Sequence, residues 1–229
     1  MSRTPGRSGR VGRTTTAVVV ALGALLFSAP AQAAAQDGLA LLDRAAERYE
    51  GVGSLCADFA QTLQVPLLGQ ERSGTGRLCQ RAPDRFAMRF QDPAEDAVVV
   101  DGTSVWLYYP STDPRQVLKL PMQELPGGFD FHRAFLQDPA TKYEVTYEGR
   151  ETVAGHPTHR LALRPRDPAA YQQAQVWIDE GEPVLRQARV TEENGSVRTV
   201  TLTGVQFGVE APAGFFEFIP PEGAQVIER

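Results

Sequence analysis

The stretch CADFAQTLQVPLLGQERSGTGRLC, residues 56–79, decides the fold. Both of its ends alternate apolar and polar residues, which is the side-chain period of a β-strand. Residues 66–69, Pro-Leu-Leu-Gly, have the composition of the turn between two strands. A turn at this place sets Cys56 opposite Cys79, so the segment is predicted to form an antiparallel β-hairpin.

The same register brings complementary side chains together. It pairs Asp58 with Arg77 across the two strands, and opposite charges that face each other in this way are favourable. It also places Gly76 opposite Phe59, where a glycine leaves room for the aromatic ring. These two pairs support the predicted register independently of the cysteines.

The chain begins with the parts of a secretory signal peptide. Four arginines precede an apolar run over residues 17–27, and the small-residue site Ala31-Gln32-Ala33 follows. The run is too short for a membrane anchor, which needs about 20 apolar residues. We therefore predict residues 1–33 to be a cleaved signal peptide, with Ala35 as an alternative cleavage site. No cysteine stands there for lipid attachment, so the mature domain, residues 34–229, is expected to be exported and soluble.

Export also bears on the two cysteines. An oxidising compartment permits a disulfide between Cys56 and Cys79, which the predicted register brings close together. Since the sequence has no C-x-x-C motif, such a bond would be a structural staple and not a redox site. The alternative is two separate buried thiols that behave as small hydrophobic residues.

Composition limits the classes of function. The chain has 229 residues, of which 42% are hydrophobic, and it carries a formal net charge of −5. This is enough apolar material for a packed core, and it excludes a coiled coil or a disulfide-stapled miniprotein. A nucleic-acid partner is not expected, because phosphates are bound by a basic surface.

Periodicity along the rest of the domain predicts a mainly β fold. Residues 39–50 have the spacing of one amphipathic helix, and the chain then alternates with period two to about residue 206. Turn dipeptides separate about ten or eleven strands. Residues 122–140 interrupt this rhythm with Pro126-Gly127-Gly128 and a short helical stretch. We predict a single strongly curved antiparallel sheet, with an N-terminal helix and a short helical insertion.

Motifs for catalysis are absent from the sequence. It has no G-x-S-x-G, H-E-x-x-H, P-loop or G-x-G-x-x-G motif. His156 and His159 flank Pro157 at a strand start, where three-residue spacing puts side chains on opposite faces. His132, in the helical insertion, is expected at the surface. We therefore predict no metal site, no cofactor and no enzymatic activity.

Several short motifs follow the N-terminal helix in order: Phe59-Ala60-Gln61; Gly76 and Leu78; Pro83, Phe86 and Phe90; Val100-Asp101-Gly102; Trp106-Leu107-Tyr108; and Phe216-x-Phe218-x-Pro220-Pro221-x-Gly223-x-x-Val226. Together they resemble a known family, that of the periplasmic outer-membrane lipoprotein carrier proteins (LolA). The resemblance implies an incomplete β-barrel, closed by helices over an apolar cavity. It also implies a monomeric periplasmic chaperone that takes lipoproteins from an inner-membrane ABC transporter to an outer-membrane lipoprotein receptor.

The chain departs from the family pattern at one turn. The resemblance implies a basic residue immediately before the proline of the second turn, where an arginine helps to hold a lid closed. Here Ala82 precedes Pro83, and Arg81 lies one place earlier. A shift of one residue moves a strand side chain to the opposite face of the sheet.

The candidate lipid-binding residues are those on the apolar side of the predicted strands. They are Phe59, Leu63, Leu78, Phe86, Met88, Phe90, Val98, Leu107, Val176 and Ile178. A twisted sheet with this face inward offers a dry trough, provided that its own side chains do not fill it. The alternative is that these residues form an ordinary core.

The insertion supplies a candidate lid. Phe131, Phe135 and Leu136 share one side of its helical stretch and would fill the mouth of an empty cavity, with Gly127-Gly128 as a hinge. The alternative is a connector helix packed on the sheet. Besides lipoprotein carriage, two further functions stay open: a carrier of free lipid or glycolipid, and a stress-sensing regulatory module on the same fold.

Overall fold

The computed structural model describes residues 30–122 and 131–228. Its long elements are α1 (Pro30–Glu50), β1 (Ser54–Val65), β2 (Gln70–Arg81), β3 (Arg85–Asp92), β4 (Ala97–Asp101), β5 (Ser104–Tyr108), β6 (Gln116–Pro121), β7 (Tyr143–Val153), β8 (His156–Pro165), β9 (Tyr171–Asp179), β10 (Leu185–Glu192), β11 (Val197–Phe207) and β12 (Gln225–Glu228). The short elements are a 3₁₀ turn (Pro66–Leu68), a π-helical turn (His132–Leu136) and α2 (Pro139–Lys142).

The strands form one open sheet in the order β12-β6-β5-β4-β3-β2-β1-β11-β10-β9-β8-β7. This confirms the prediction of a mainly β, incomplete barrel. β12 adds a strand to the predicted number and pairs in parallel with β6, whereas the other neighbours are antiparallel. The sheet is therefore not purely antiparallel, because the C-terminal segment, residues 208–228, returns from β11 to the β6 edge of the sheet.

The hairpin of β1 and β2 has the predicted register. Cys56 pairs with Cys79, Asp58 pairs with Arg77, and the two cysteines form a disulfide. The Arg77 guanidinium donates a hydrogen bond of 3.0 Å to the Asp58 carboxylate, on the exposed side of the strands. β1 also pairs with β11, so this hairpin lies near the middle of the sheet.

Gly76 has a steric role beside the one predicted for it. It does face Phe59, but it also lies at a register shift between β2 and β3. A Cβ atom on Gly76 would collide with the backbone carbonyl of Arg89. Backbone approach of this kind is a common reason for glycine inside a strand.

The two faces of the sheet carry separate apolar clusters. One face, here called the inner face, includes Phe59, Leu78 and Met88 and packs against α1. Alternation along the strands predicts that the opposite face, here called the outer face, is polar. In part it is buried instead, because Phe216 of the C-terminal segment covers the disulfide and its neighbours.

On β9, Trp177 alternates with the inner-face residues Val176 and Ile178, so it lies on the outer face. Its side chain is buried, and its indole N–H donates a hydrogen bond of 2.9 Å to the carboxylate of Glu151. A tryptophan needs such a partner when it is buried. Strand β7, which lies beyond β8 in the sheet, supplies that partner, and alternation within β9 does not reveal it.

The N-terminal helix extends beyond its predicted limits. α1 begins at Pro30, before the predicted start at residue 39, and ends at Glu50 as expected. Most of the predicted signal peptide, residues 1–29, lies outside the described residues, and its cleavage stays a prediction. Within the described ranges, none of the helices combines the length and apolar character that a bilayer crossing requires.

We expect loss of the disulfide to destabilise the fold substantially. The bond joins residues 23 apart, so it restricts the unfolded chain, and replacing Cys56 and Cys79 by alanine should lower the free energy of unfolding by about 3 kcal/mol. Urea unfolding of the wild type, with and without reductant, and of the double variant measures this. Reductant should shift the wild-type midpoint and leave the double variant unchanged; equal midpoints for oxidised and reduced wild type would contradict the prediction.

Candidate functional site

The predicted apolar residues lie on the inner face of the sheet. Eight of them are buried in one cluster: Phe59, Leu78, Phe86, Met88, Phe90, Val98, Val176 and Ile178. Leu107 is half-buried and packs against that cluster. Leu63, nearer the β1–β2 turn, is half-buried beside a cleft. The ten residues therefore share one face, and two of them approach its exposed part.

Helix α1 covers one side of the inner face. Its residues Leu41, Leu42, Ala45 and Ala46 are buried in the same cluster as the strand residues. Gly38 lies so close to β7 that an added Cβ would come within 2.9 Å of a Val145 methyl carbon. The helix packs against β7 and β9 and against the insertion. It therefore covers the β7 side of the sheet, away from β12.

The lid segment, residues 131–136, is the second cover of the inner face. Phe131, Phe135 and Leu136 are 4%, 0% and 0% exposed and belong to the inner-face cluster. The Phe135 ring stacks on Phe131 at 6.4 Å between centroids and meets Tyr171 edge-on at 6.3 Å. The predicted hinge, Gly127-Gly128, and the side chain of His132 lie outside what the structure describes. The three predicted lid side chains thus fill space above the sheet.

Two tyrosines that the sequence analysis did not single out hold the lid segment. The Tyr143 hydroxyl donates a hydrogen bond of 2.7 Å to the Ala134 carbonyl oxygen, and it is also hydrogen-bonded to the Tyr171 hydroxyl. Burial raises the pKa of both tyrosines, so both are neutral near pH 7. The sequence did contain a sign of this contact: Tyr143 lies on the apolar side of β7, and a buried tyrosine hydroxyl requires a hydrogen-bond partner.

Among the described residues, two neighbouring clefts open on the inner face on the side towards β12, away from α1. The smaller has a volume of about 200 Å³ and includes Leu63, Phe90 and Tyr109 in its wall. The larger, of about 350 Å³, lies towards β12 and includes Leu107 and Leu118. Tyr109 and Thr112 line both, so the clefts are neighbours. Ligand pockets typically measure about 300–1,000 Å³, so the larger cleft is at the small end of this range and the smaller cleft lies below it.

Polar contacts fix the loop between the two clefts. The buried Asp96 carboxylate accepts hydrogen bonds from the Ser111 backbone N–H at 3.1 Å and from the Ser111 hydroxyl at 2.6 Å. On the opposite wall, the Arg72 guanidinium donates a hydrogen bond of 2.8 Å to the Thr112 hydroxyl. The mouth of the smaller cleft therefore has a polar rim around an apolar floor.

Arg81 lies away from the lid segment. It is exposed on the outer face, and its guanidinium carbon is 5.2 Å from the centre of the Phe216 ring. A cation in this position is attracted by the face of the ring. In this structure Arg81 stabilises the C-terminal segment, so it does not occupy the position of a lid latch.

The histidines have separate partners. His156 Nδ1 is 3.0 Å from the Asp179 carboxylate, and His159 Nδ1 is 3.2 Å from the Tyr147 hydroxyl. Within residues 30–122 and 131–228, no group of three or more His, Cys, Asp or Glu side chains is placed to hold a metal ion.

These features define an incomplete β-barrel protein with a covered apolar inner face. The family described as outer membrane lipoprotein carrier protein LolA matches residues 50–219, which is well over half of the chain. The chain belongs to this family.

Named relatives are similar over most of their length. The outer-membrane lipoprotein carrier protein of Alkalilimnicola ehrlichii is 28% identical over 184 residues, covering 80% of this chain and 81% of that protein. That of Neisseria meningitidis is 27% identical over 202 residues, covering 88% and 90%. The crystal structure of an uncharacterized conserved protein from Thermus thermophilus has the same fold, with a TM-score of 0.53, 15% identity, and coverage of 85% and 100%.

Replacing Tyr143 by phenylalanine is expected to loosen the lid segment. The variant loses the hydrogen bond to the Ala134 carbonyl, worth about 1 kcal/mol, so exchange of the amide hydrogens of residues 131–136 should accelerate about fivefold. Tyr108→Phe is the matched control, because its hydroxyl donates at 3.4 Å to the Pro114 carbonyl, outside the lid segment. Equal exchange in the two variants would show that Tyr143 does not hold the lid.

Stability should fall in alkaline solution. Burial raises the pKa of Tyr143 and Tyr171 above the ordinary value of 10.0, and that of Tyr49 and Tyr109 likewise. Below pH 10 both the folded and the unfolded chain keep these protons. Above it the unfolded chain ionises first, so the free energy of unfolding drops by up to about 1.4 kcal/mol per pH unit for each tyrosine.

Urea unfolding and tyrosinate absorbance, followed together from about pH 8 to pH 11, check this prediction. The four buried tyrosines should ionise together with loss of the fold. Their ionisation near pH 10 in a chain that stays native would contradict it.

Proposed function

We propose that this protein is a soluble periplasmic chaperone that binds the acyl chains of lipoproteins on its inner face and carries them from the inner to the outer membrane. Its partners on this route are an inner-membrane lipoprotein-releasing ABC transporter and an outer-membrane lipoprotein receptor. The observation that carries the proposal is the apolar inner face, covered by the lid segment and flanked by two open clefts. Family membership and the names of the relatives support it.

The energetics of acyl chains explain why such a surface is needed. Exposing a methylene group to water costs about 0.8 kcal/mol, so a lipoprotein with several acyl chains does not cross an aqueous gap unassisted. The inner-face residues Phe59, Met88 and Val98 offer an apolar surface shielded from water. Acyl chains entering at the clefts would meet Leu63, Leu107 and the rest of this face.

The lid segment sets the affinity, because the same surface binds either the lid or the cargo. Burial of a Phe or Leu side chain contributes about 2 kcal/mol, so Phe131, Phe135 and Leu136 together offset the burial of roughly eight methylenes. The net affinity is then lower than that of an empty trough. Because of this competition, cargo can pass to a receptor without an energy source at the receptor.

The proposal assigns the protein no catalytic step and no cofactor. Acyl-chain binding requires apolar area and an exchangeable cover; the apolar inner-face cluster supports the first requirement, and the proposal assigns the second to the lid segment. Monomeric action in the periplasm and cleavage of residues 1–33 belong to the same proposal.

Replacing Phe135 by alanine tests the role of the lid. With less lid surface to displace, the purified variant should bind a fluorescent triacylated lipopeptide about tenfold more tightly than the wild type. Phe216→Ala is the matched control, since it removes an equally buried ring (5% exposed) from the outer face. A wild type that binds no lipopeptide would overturn the proposal, and equal effects of both variants would remove the lid from it.

Mass spectrometry of the protein isolated from the periplasm separates carriage of lipoproteins from the two other functions. Triacylated polypeptides in the complex are the expected result. Free lipid or glycolipid alone would indicate a general lipid carrier, and a membrane-protein partner without lipid would indicate a regulatory module.

A further inference from the structure

The tip of the β1–β2 hairpin presents two leucines to solvent. Leu67 and Leu68 are 80% and 67% exposed, whereas every other leucine in the described ranges is buried or half-buried. They are neighbours in the 3₁₀ turn Pro66–Leu68, which joins the two central strands. Two adjacent exposed leucines at a turn form a small apolar patch on the surface, and exposed apolar patches often mark interaction sites.

The backbone of the turn fixes the position of this apolar patch. Pro66 begins the turn with a fixed φ, and the Gly69 N–H closes it with a hydrogen bond of 3.1 Å to the Pro66 carbonyl oxygen. Gly69 ends the turn with a φ of 60°, a conformation that glycine adopts without steric cost. The backbone geometry of the turn therefore keeps both leucines exposed.

The tip adjoins the mouth of the smaller cleft. Leu63 of β1 and Arg72 of β2 face each other across the hairpin, and both line that cleft. From there the strands continue to the tip, at about 3.3 Å per residue. Whatever surface the leucines touch is thus brought close to the opening of the inner face.

We propose that Leu67 and Leu68 insert into the surface of a lipid bilayer and place the smaller cleft against it. A stable protein–protein interface needs about 20–30 residues a side and is centred on Trp, Tyr or Arg residues seated in pockets, whereas this tip is narrow and aliphatic. Two leucines suit shallow, reversible insertion into acyl chains. The contact itself is independent of the proposed carrier function, which only gives it a purpose.

Charge at the tip is compatible with this occupant. The chain as a whole is acidic, which disfavours contact with anionic headgroups. Next to the leucines, however, the two charges are of opposite sign: Glu71, hydrogen-bonded to Gln64, and Arg72, hydrogen-bonded to Thr112. The tip is therefore locally neutral, and its contact with the bilayer is expected to be insensitive to salt.

A dye at the tip tests the contact directly. Both native cysteines are in the disulfide, so Leu68→Cys provides a single thiol for an environment-sensitive fluorophore. With phosphatidylcholine vesicles its emission should shift to the blue, equally at low and high salt. Ile219→Cys is the matched control, because Ile219 is also apolar and 85% exposed but lies in the C-terminal segment next to Phe218, which packs on the outer face. It should show no shift.

Three results would overturn the proposal: no shift at position 68, an equal shift at position 219, or a shift at position 68 only when a membrane protein is added to the vesicles. The last of these would assign the tip to a protein partner. Because the readout uses vesicles without lipopeptide, it stands even if the carrier function fails.

A second measurement asks whether the contact matters for transfer. Replacing Leu67 and Leu68 together by serine should slow uptake of the fluorescent lipopeptide from vesicles about tenfold, and should leave its binding from detergent micelles unchanged. Uptake from vesicles at the wild-type rate would overturn a role of the tip in transfer.

Discussion

The constraint on which this structure depends is that one face of an open sheet is apolar and must be kept from water. A closed barrel would bury that face against itself, but here β7 and β12 are free edges. Helix α1 and the lid segment therefore cover it from the β7 side. Two clefts lie on the side towards β12, away from α1. The open part of the inner face is therefore between the hairpin tip and β12.

The apolar part of the outer face is also shielded from water, but by a different segment. The C-terminal segment crosses it, and Phe216 packs over the Cys56–Cys79 disulfide. The Arg89 guanidinium donates hydrogen bonds to the backbone carbonyls of Gly214, Phe215 and Glu217. A covalent staple and a charged donor thus fix this side of the sheet.

The alternation of apolar and polar residues correctly predicted which side chains of a strand lie on the inner face of the sheet. Alternation along β1 and β3 placed Phe59 and Met88 on the inner face, since a period of two leaves no other choice once the register is known. It missed contacts between distant segments. Trp177 is buried and donates a hydrogen bond to Glu151 of β7, Phe216 covers the outer face from far along the chain, and β12 joins β6 in parallel. No pattern within a single strand carries that information.

The difference between the two covers also indicates which of them is able to move. The outer cover is held by hydrogen bonds from a charged group, a class that typically contributes more than a neutral hydrogen bond, about 1.5–3 kcal/mol for a well-formed bond. The lid segment is held by apolar packing and by the neutral hydrogen bond from Tyr143 to Ala134, worth about 1 kcal/mol. An acyl chain replaces apolar packing with equivalent packing, but it offers no substitute for bonds to a guanidinium. Under the proposed function, a hydrocarbon ligand would therefore compete with the lid segment and not with the C-terminal segment, and the exchange would be confined to the inner face.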